Sequence, residues 1–464
     1  MTISQRSRAL TRSFSVVILF TLFTIVQGQG IQVEPIFFGL HRTAGGTWRG
    51  ASDPVSFAGW GIRGRIAQGQ WSIEAAFINS RFFNLDELPN RFSPEQGFSW
   101  IPPTGEKGEG FNTDYTSMRI AYQTEKFEVY VGKFTQSWGP GLHSMTISAK
   151  PPTYPQIGFE WQLGKRFRFH YQHGDLFSGI PDESALEAGR KTYLDRYIAA
   201  HRLEWRLTER LDIGFFESVV YGGRSVETVY LMPFILFWSA EHYLGDTDNV
   251  QMGGDITYRL NTATKIYVVF YMDEWRPQNT FRENDHNWFA WQAGLDWGSV
   301  LQQDDRLLFE VNWTDHRIYR HRYTVNDLYS HGYPLAHWSG PHAQTLMAAY
   351  QLPVWGFRFM LSGLYAKRGE LTQSMLDDQY LEISYPRFSG ATETLQTLDI
   401  TVARPVWSKL WIHLGISAIS WDNADFNPAA PELGGMDGSK TSFTIGFAYN
   451  FDLPGYDITL LQEE

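Results

Sequence analysis

The sequence predicts an all-β protein, a transmembrane antiparallel β-barrel of about 18 strands. Three observations carry that prediction. Short segments alternate apolar and polar residues, the connections between them alternate between tight and long, and the one extended apolar run stands at the N-terminus. That run, Phe14–Val26, follows Arg6, Arg8 and Arg12. A spanning helix needs about 20 apolar residues, so the basic stretch, the short apolar stretch and the small-residue end at Val26-Gln27-Gly28 read as a secretory signal peptide. Residues 1–28 are expected to be the signal, and 29–464 a single barrel domain in the outer membrane of a Gram-negative-type bacterium.

Composition narrows the class. The 464 residues are 16% aromatic, with 18 Trp, 23 Tyr and 33 Phe. After the signal, the best candidate for a membrane helix is Leu231–Ala240, which is short and interrupted by Pro233. A helical membrane protein is thereby excluded, whereas a barrel fits because lipid-facing and lumen-facing residues alternate. Cysteine is absent, so neither disulfides nor a lipid-bearing cysteine hold the chain, and attachment must come from the fold. A net charge of −11 argues against nucleic acid as a partner.

The elements follow in order. A first strand is expected near Gln32–His41, then an outer loop across Arg42–Phe57 and a strand through Gly59–Ile66. Tight turns fall near Gln68–Gln70, Thr124–Lys126, Leu163–Lys165, Thr208–Arg210, Asn261–Ala263, Leu301–Asp304, Leu352–Val354 and Pro405–Ser408. Between them lie Gly-, Pro- and charge-rich segments: Arg81–Thr113, Ser137–Thr153, Gly174–Arg196, Gly222–Asn249, Glu274–Asn287, His316–Gly340, Lys367–Thr392 and Asp422–Lys440. Short periplasmic turns and long outer loops are the habit of outer-membrane barrels, and roughly eight such turns imply about 18 strands when both termini are periplasmic.

Parity then assigns faces. In Thr441–Phe451, Phe443, Ile445, Phe447, Tyr449 and Phe451 share one face and small or polar residues the other; about 9–11 residues cross a bilayer. Pro454–Glu464 follows as a tail. On Lys265–Asp273, Ile266, Val268, Phe270 and Met272 face lipid, so Lys265, Tyr267, Tyr271 and Asp273 face inward. The same logic places Asp255, Thr257 and Arg259 inside, and lets the charges of Arg166, Arg168 and His170 meet those of Arg202, Glu204 and Arg206 across the sheet. Glu217 is ambiguous, because Leu211, Ile213 and Phe215 share its parity. A soluble sandwich or propeller is the competing fold; no repeat of ~40 residues supports the propeller.

Two outer loops are unusually aromatic. One holds Trp138-Gly139-Pro140-Gly141, His143 and Lys150-Pro151-Pro152-Thr153; the other holds Tyr230-Leu231-Met232-Pro233-Phe234, Phe237-Trp238, Glu241-His242-Tyr243 and Asp246-Thr247-Asp248-Asn249. So much exposed aromatic surface would invite aggregation, and both loops are expected to fold inward and narrow the lumen. No nucleophile elbow, zinc-protease helix or phosphate loop appears. A glycosidase pair from Glu217 and Asp273-Glu274, a metal site from His316, His321, His331, His337 and His342, and a calcium loop at Asp246–Asn249 are each weakly patterned. No enzyme activity, cofactor or metal is expected.

A resemblance appears at these loops. Val131-Gly132-Lys133-Phe134, Trp138-Gly139-Pro140-Gly141 and Ser148–Pro152, then Phe216-Glu217, Tyr221-Gly222, Tyr230–Phe234, Asp248-Asn249 and Asp273-Glu274-Trp275, in that order, resemble the Wzi-type capsule assembly proteins. The resemblance implies an outer-membrane barrel of about 18 strands that acts as a lectin, binds capsular polysaccharide and helps hold it at the cell surface. The best-known members carry an N-terminal periplasmic helical bundle, whereas here only about 30 residues separate the signal from the Gly59–Ile66 strand.

Sugars are bound by aromatic faces and by groups that hydrogen-bond hydroxyls. The candidate glycan contacts are Trp138, His143, Trp238, Tyr243 and Trp275 with Glu241, Asp248 and Asn249, joined by Asp255, Asp273 and Glu274. The competing reading makes the same aromatics an interfacial girdle and a plug. The expected partners are capsular or extracellular polysaccharide and outer-membrane lipid, with the chain a monomer. The rival function is a diffusion porin or substrate-specific channel, which a polar lumen would serve equally.

Overall fold

The computed structural model describes residues 30–44, 54–85, 92–100, 110–184, 192–275, 280, 287–378, 381 and 385–453. The expected signal (1–28) and the C-terminal tail lie outside the described residues. Eighteen long strands run β1 (Ile31–Arg42), β2 (Val55–Gln68), β3 (Trp71–Phe83), β4 (Phe111–Gln123), β5 (Phe127–Phe134), β6 (Tyr154–Gln162), β7 (Phe167–Pro181), β8 (Tyr193–Arg206) and β9 (Leu211–Gly222). They continue as β10 (Asn249–Arg259), β11 (Thr264–Glu274), β12 (Trp288–Gly298), β13 (Arg306–Thr314), β14 (Ala343–Val354), β15 (Phe357–Gly369), β16 (Thr392–Trp407), β17 (Leu410–Ala424) and β18 (Met436–Tyr449). Each pairs antiparallel with the next, and β1 pairs with β18 from Phe37↔Tyr449 to Arg42↔Thr444. The sheet therefore closes, as a barrel in lipid must, because an open edge would leave backbone groups unsatisfied.

Most tight connections sit where the sequence puts them. Leu352–Val354 instead completes β14, whose turn is Trp355-Gly356 with positive φ at both, and Pro405–Trp407 completes β16. Several strands also run further outward than their apolar alternation. β7 continues to Pro181 and β8 begins at Tyr193, inside the expected loop Gly174–Arg196. Their outer ends mix Gly, Pro and charged residues with Leu176, Phe177, Ile180 and Leu194, so no clean apolar alternation marks them. At the other end of the barrel, Asn450 takes a positive φ of 51° and stops β18 at Tyr449. Phe451 thus leaves the strand and stacks on Phe38 at 4.1 Å.

The wall is two-faced throughout. In β18, Ser442, Thr444, Gly446 and Ala448 are buried, while Phe443, Ile445 and Phe447 are exposed on the lipid side. Lys265, Tyr267, Tyr271 and Asp273 share the lumen face of β11, and Asp255 and Thr257 that of β10. The lumen charges pair as anticipated. Arg202 holds Asp255 through two bonds of 2.5 and 3.0 Å and Glu204 at 3.0 Å. His170 lies 3.5 Å from Glu204 and 3.4 Å from Glu160.

Two outer connections fill the lumen. Trp138, Met145 and Ile147 from the β5–β6 connection, and Ile318, Tyr319, Leu328, Leu335 and Ala336 from the β13–β14 connection, pack on the inward residues Ile198, Phe216, Val220, Val269 and Tyr271. Polar contacts fasten this plug. Arg196 on β8 donates to the carbonyls of Val325, Thr324 and Tyr329 at 2.6, 2.6 and 2.9 Å, and Ser148 donates to Ala336 O at 2.6 Å.

The β9–β10 connection departs from expectation. It does not enter the lumen. Tyr230, Phe237 and Ala240 pack on Phe169, Tyr171, Val219 and Tyr221, which stand on the outward face of the wall. Helix α1 (Phe237–Leu244) therefore lies outside the barrel. Its N-terminus explains Glu217. That carboxylate points outward, where a bare charge would be costly, and it accepts the N–H groups of Phe237 and Trp238 at 2.8 and 2.7 Å with His201 at 3.1 Å. Orphan donors and a helix dipole thus meet one misplaced anion.

Because the β13–β14 connection and not the β9–β10 connection occupies the lumen, the intact protein should show little steady conductance in planar bilayers. Removing 316–340 should raise conductance severalfold, and removing 232–244 should not. Equal opening by both deletions would contradict this arrangement.

Candidate functional site

At the outer end of β9–β11, helix α1 stands off from the barrel wall and leaves a cleft of about 1470 Å³. Its lower part is lined by Phe215, Met252, Ile256, Val268 and Phe270, the outward face of the wall. Its upper part carries Trp238, Glu241, Asp248, Asn249, Asp273, Glu274 and Trp275. Eight of the expected glycan contacts, these seven and Asp255, thus border one space. The cleft is apolar along the wall and acidic and aromatic toward the rim.

The individual positions differ in what they offer. Trp275 is about half exposed at the top of β11, its indole N–H donating to Thr280 Oγ1 at 2.9 Å. Trp238 is likewise half exposed, with its ring 4.5 Å from that of His242. Tyr243 is almost fully exposed on the helix and does not line the cleft. Asp248 is buried, accepting from Arg224 and from the Tyr230 hydroxyl at 2.7 Å each. Asn249 donates to Asn326 O at 3.0 Å, and Asp273 accepts the N–H of Tyr319 at 2.7 Å. Asp255 is committed to Arg202. Asn249 and Asp273 thus tie the wall to the plug, and Asp255 is spent within the wall.

Trp138 and His143 lie elsewhere, in the plug. Trp138 is buried, donating from its indole to Gln136 at 3.0 Å. His143 faces Glu310. Glu217 and Asp273 stand on opposite faces of the wall, so no carboxylate pair forms between them. Asp248 and Asn249 have other partners, and the Asp246–Asn249 oxygens do not converge as a calcium loop would require.

The five histidines of the β13–β14 connection do not gather into one group; His316 and His342 stack at 3.9 Å, and His337 turns toward His143. Two clusters bring metal-ligating atoms within 4.8 Å of one another among the described residues: His143, Glu310 and His337, and Glu241, His242 and Asp246. Sequence spacing conceals the first, because its members come from a wall strand and two different plug segments. Also missed is Arg196, whose place on β8 looked like an ordinary loop charge.

Burial dominates the electrostatics of the plug. It lowers His321 to about 4, helped by Arg322, His331 to about 4, helped by Lys133, and His342 to about 3, helped by His316. His342 is built to stay neutral: its Nδ1 lies 2.8 Å from the Glu370 carbonyl and its Nε2 accepts the Phe388 N–H at 3.1 Å.

Fold and site together define an outer-membrane β-barrel with a self-plugged lumen and an acidic, aromatic cleft at its rim. Residues 64–430 match the family model described as capsule assembly protein Wzi. The chain belongs to the Wzi capsule assembly family. Among solved structures it is similar to Wzi of Escherichia coli, described as an outer membrane protein involved in group 1 capsule assembly and a carbohydrate-binding β-barrel. Identity is 15%, the TM-score 0.56, and the match covers 91% of this chain and 85% of that one. OccAB2 of Acinetobacter baumannii follows at 12% identity and TM-score 0.49, covering 90% of this chain and 97% of that one. OprD of Pseudomonas aeruginosa has 11% identity and TM-score 0.45, covering 91% and 95%. No curated protein sequence matches the chain.

Histidines held neutral in the fold give a defined pH response. The unfolded chain takes up protons near pH 6.5 while the folded plug resists until about pH 4, so stability falls as pH drops through that window. Each such histidine should cost about 3 kcal/mol by pH 4. The melting temperature should fall between pH 6.5 and 4, and His342→Gln should shrink that fall; an unchanged pH profile in the variant would exclude this role.

Proposed function

We propose that this barrel binds an exported capsular or other extracellular polysaccharide at its outer rim and helps retain it on the cell surface, without catalysing a reaction on it. Membership of the capsule assembly family supports the direction of the reading. The observation that carries it to this chain is the rim cleft, where Trp238 and Trp275 are half exposed beside Glu241 and Glu274.

The chemistry suits a carbohydrate. An indole face packs on the C–H surface of a sugar ring, and nearby carboxylates accept its hydroxyl protons. A single weak contact suffices where the ligand is a polymer, because many repeats of one polymer engage many barrels and each further contact is effectively intramolecular. A lumen filled by the chain's own segments favours a surface role over passage of a solute. The protein acts in this reading as a monomer seated in outer-membrane lipid, with residues 29–464 as one domain behind a cleaved signal.

A deletion strain should synthesise polysaccharide at the normal rate yet release most of it into the medium. Complementation with Trp275→Ala should restore retention only partly, while Phe447→Ala, on the lipid face, should restore it fully. Unchanged retention in the deletion strain, with selective loss of uptake of a small solute, would replace this reading by the channel.

A further inference from the structure

We propose that His143, Glu310 and His337 form a divalent transition-metal site, with zinc the best-suited ion, that clamps the lumen plug to the barrel wall. The three residues converge from separate parts of the chain. Glu310 stands on the lumen face of β13, His143 belongs to the β5–β6 connection and His337 to the β13–β14 connection. Their ligating atoms all lie within 4.8 Å of one another.

Glu310 is almost wholly buried, and one of its oxygens is already fixed. Oε2 accepts the Tyr267 hydroxyl at 2.8 Å and the Leu142 N–H at 2.9 Å. Oε1 is left facing His143 Nδ1 at 3.3 Å. Among the described residues His143 is its one ion-pair partner. A buried carboxylate needs positive charge close by, and here it has a half-buried imidazole and a second imidazole that is wholly buried.

That second imidazole is His337, which is fully buried. Its Nδ1 accepts the Ser339 N–H at 3.3 Å and lies 2.9 Å from Ser339 Oγ; in the tautomer that ligates through Nε2, Nδ1–H donates to that Oγ instead. Nε2 has no hydrogen-bond partner. A ligating histidine is ordinarily oriented by a hydrogen bond at its other nitrogen, and Ser339 Oγ stands where that acceptor belongs. The His143 and His337 rings meet at 78° with centroids 6.1 Å apart.

Two imidazoles and a carboxylate oxygen are the donor set of zinc, whereas calcium and magnesium take oxygen throughout. Bonds of about 2.0–2.2 Å in a tetrahedron place neighbouring donors roughly 3.3–3.6 Å apart. The Glu310–His143 edge already has that length, and the remaining edges need to close by about an ångström. Gly141 permits the approach: a Cβ there would lie 2.9 Å from Glu310 Oε2 and 2.7 Å from Gln292 Oε1. The Gly-Pro-Gly turn thus delivers His143 to the wall. A bound ion would cross-link both plug segments to β13, where otherwise only hydrogen bonds and packing hold them.

The test uses the full chain purified in detergent, stripped with a chelator and dialysed against limiting zinc. Elemental analysis should find one zinc per chain, and the melting temperature should rise with zinc concentration. Substituted cobalt should give the intense visible bands of a tetrahedral site. His337→Ala and Glu310→Gln should each weaken binding by at least about tenfold. His143→Ala, at a partly exposed position, serves should either of those fail to fold. His331→Ala, a half-buried histidine of the same segment, should bind as the parent does. Absence of stoichiometric zinc, or zinc retained equally by all three ligand variants, would overturn the proposal.

Discussion

The hydrogen-bonded seam between β1 and β18 is the contact on which everything else rests. Without the ladder from Phe37↔Tyr449 to Arg42↔Thr444, two strand edges would stand open in lipid with no water to satisfy them. Closure also fixes sidedness. Paired residues share a face from strand to strand, and an even ring of 18 lets β18 meet β1 antiparallel as every other pair does. One face can then be apolar for lipid and the other polar for the lumen along the whole circumference. The lumen charges, Arg196 that fastens the plug and Arg202 that pairs within the wall, are tolerated only because closure takes them out of the bilayer.

The wall is broken in one place, and the break is instructive. Glu217 and His201 stand on the outward face, and the β9–β10 connection lies over them. The N-terminus of α1 supplies the donors that the carboxylate lacks in lipid. The same standing-off of α1 creates the rim cleft, so the exposed aromatics and carboxylates read as glycan contacts owe their position to a charge on the wrong side of a strand. Plug and cleft divide the outer loops between them: one set closes the barrel, the other dresses its edge. A closed barrel with a decorated rim suits holding a polymer better than passing a solute.

Most of the barrel was legible because its physics is periodic. The faces of β10, β11 and β18 follow from parity alone, and the turns follow from short polar interruptions. The loops were legible only in part. Aromatic content says that Trp138 and Phe237 must be covered, yet it does not say by which surface, since the lumen plug and the outer wall both offer cover. Glu217 held the clue, as its lipid-side parity demands a partner from outside. Tyr319 and Leu335, in a segment that reads as an exposed histidine-rich loop, are fully buried in the lumen. The convergence of His143, Glu310 and His337 was out of reach, because it depends on the depth to which two separate connections descend, and no spacing within the sequence encodes that depth.

Binding of polymer at the outer rim is the central claim, and direct titration tests it most closely. The purified barrel in lipid nanodiscs would be titrated with surface polysaccharide from its own cells, intact or cleaved to short oligosaccharides. Binding to the polymer should be saturable and should weaken steeply as the chain is shortened, with no measurable flux of small solutes through the same barrel in liposomes. Absence of polymer binding, together with rapid solute flux, would contradict it.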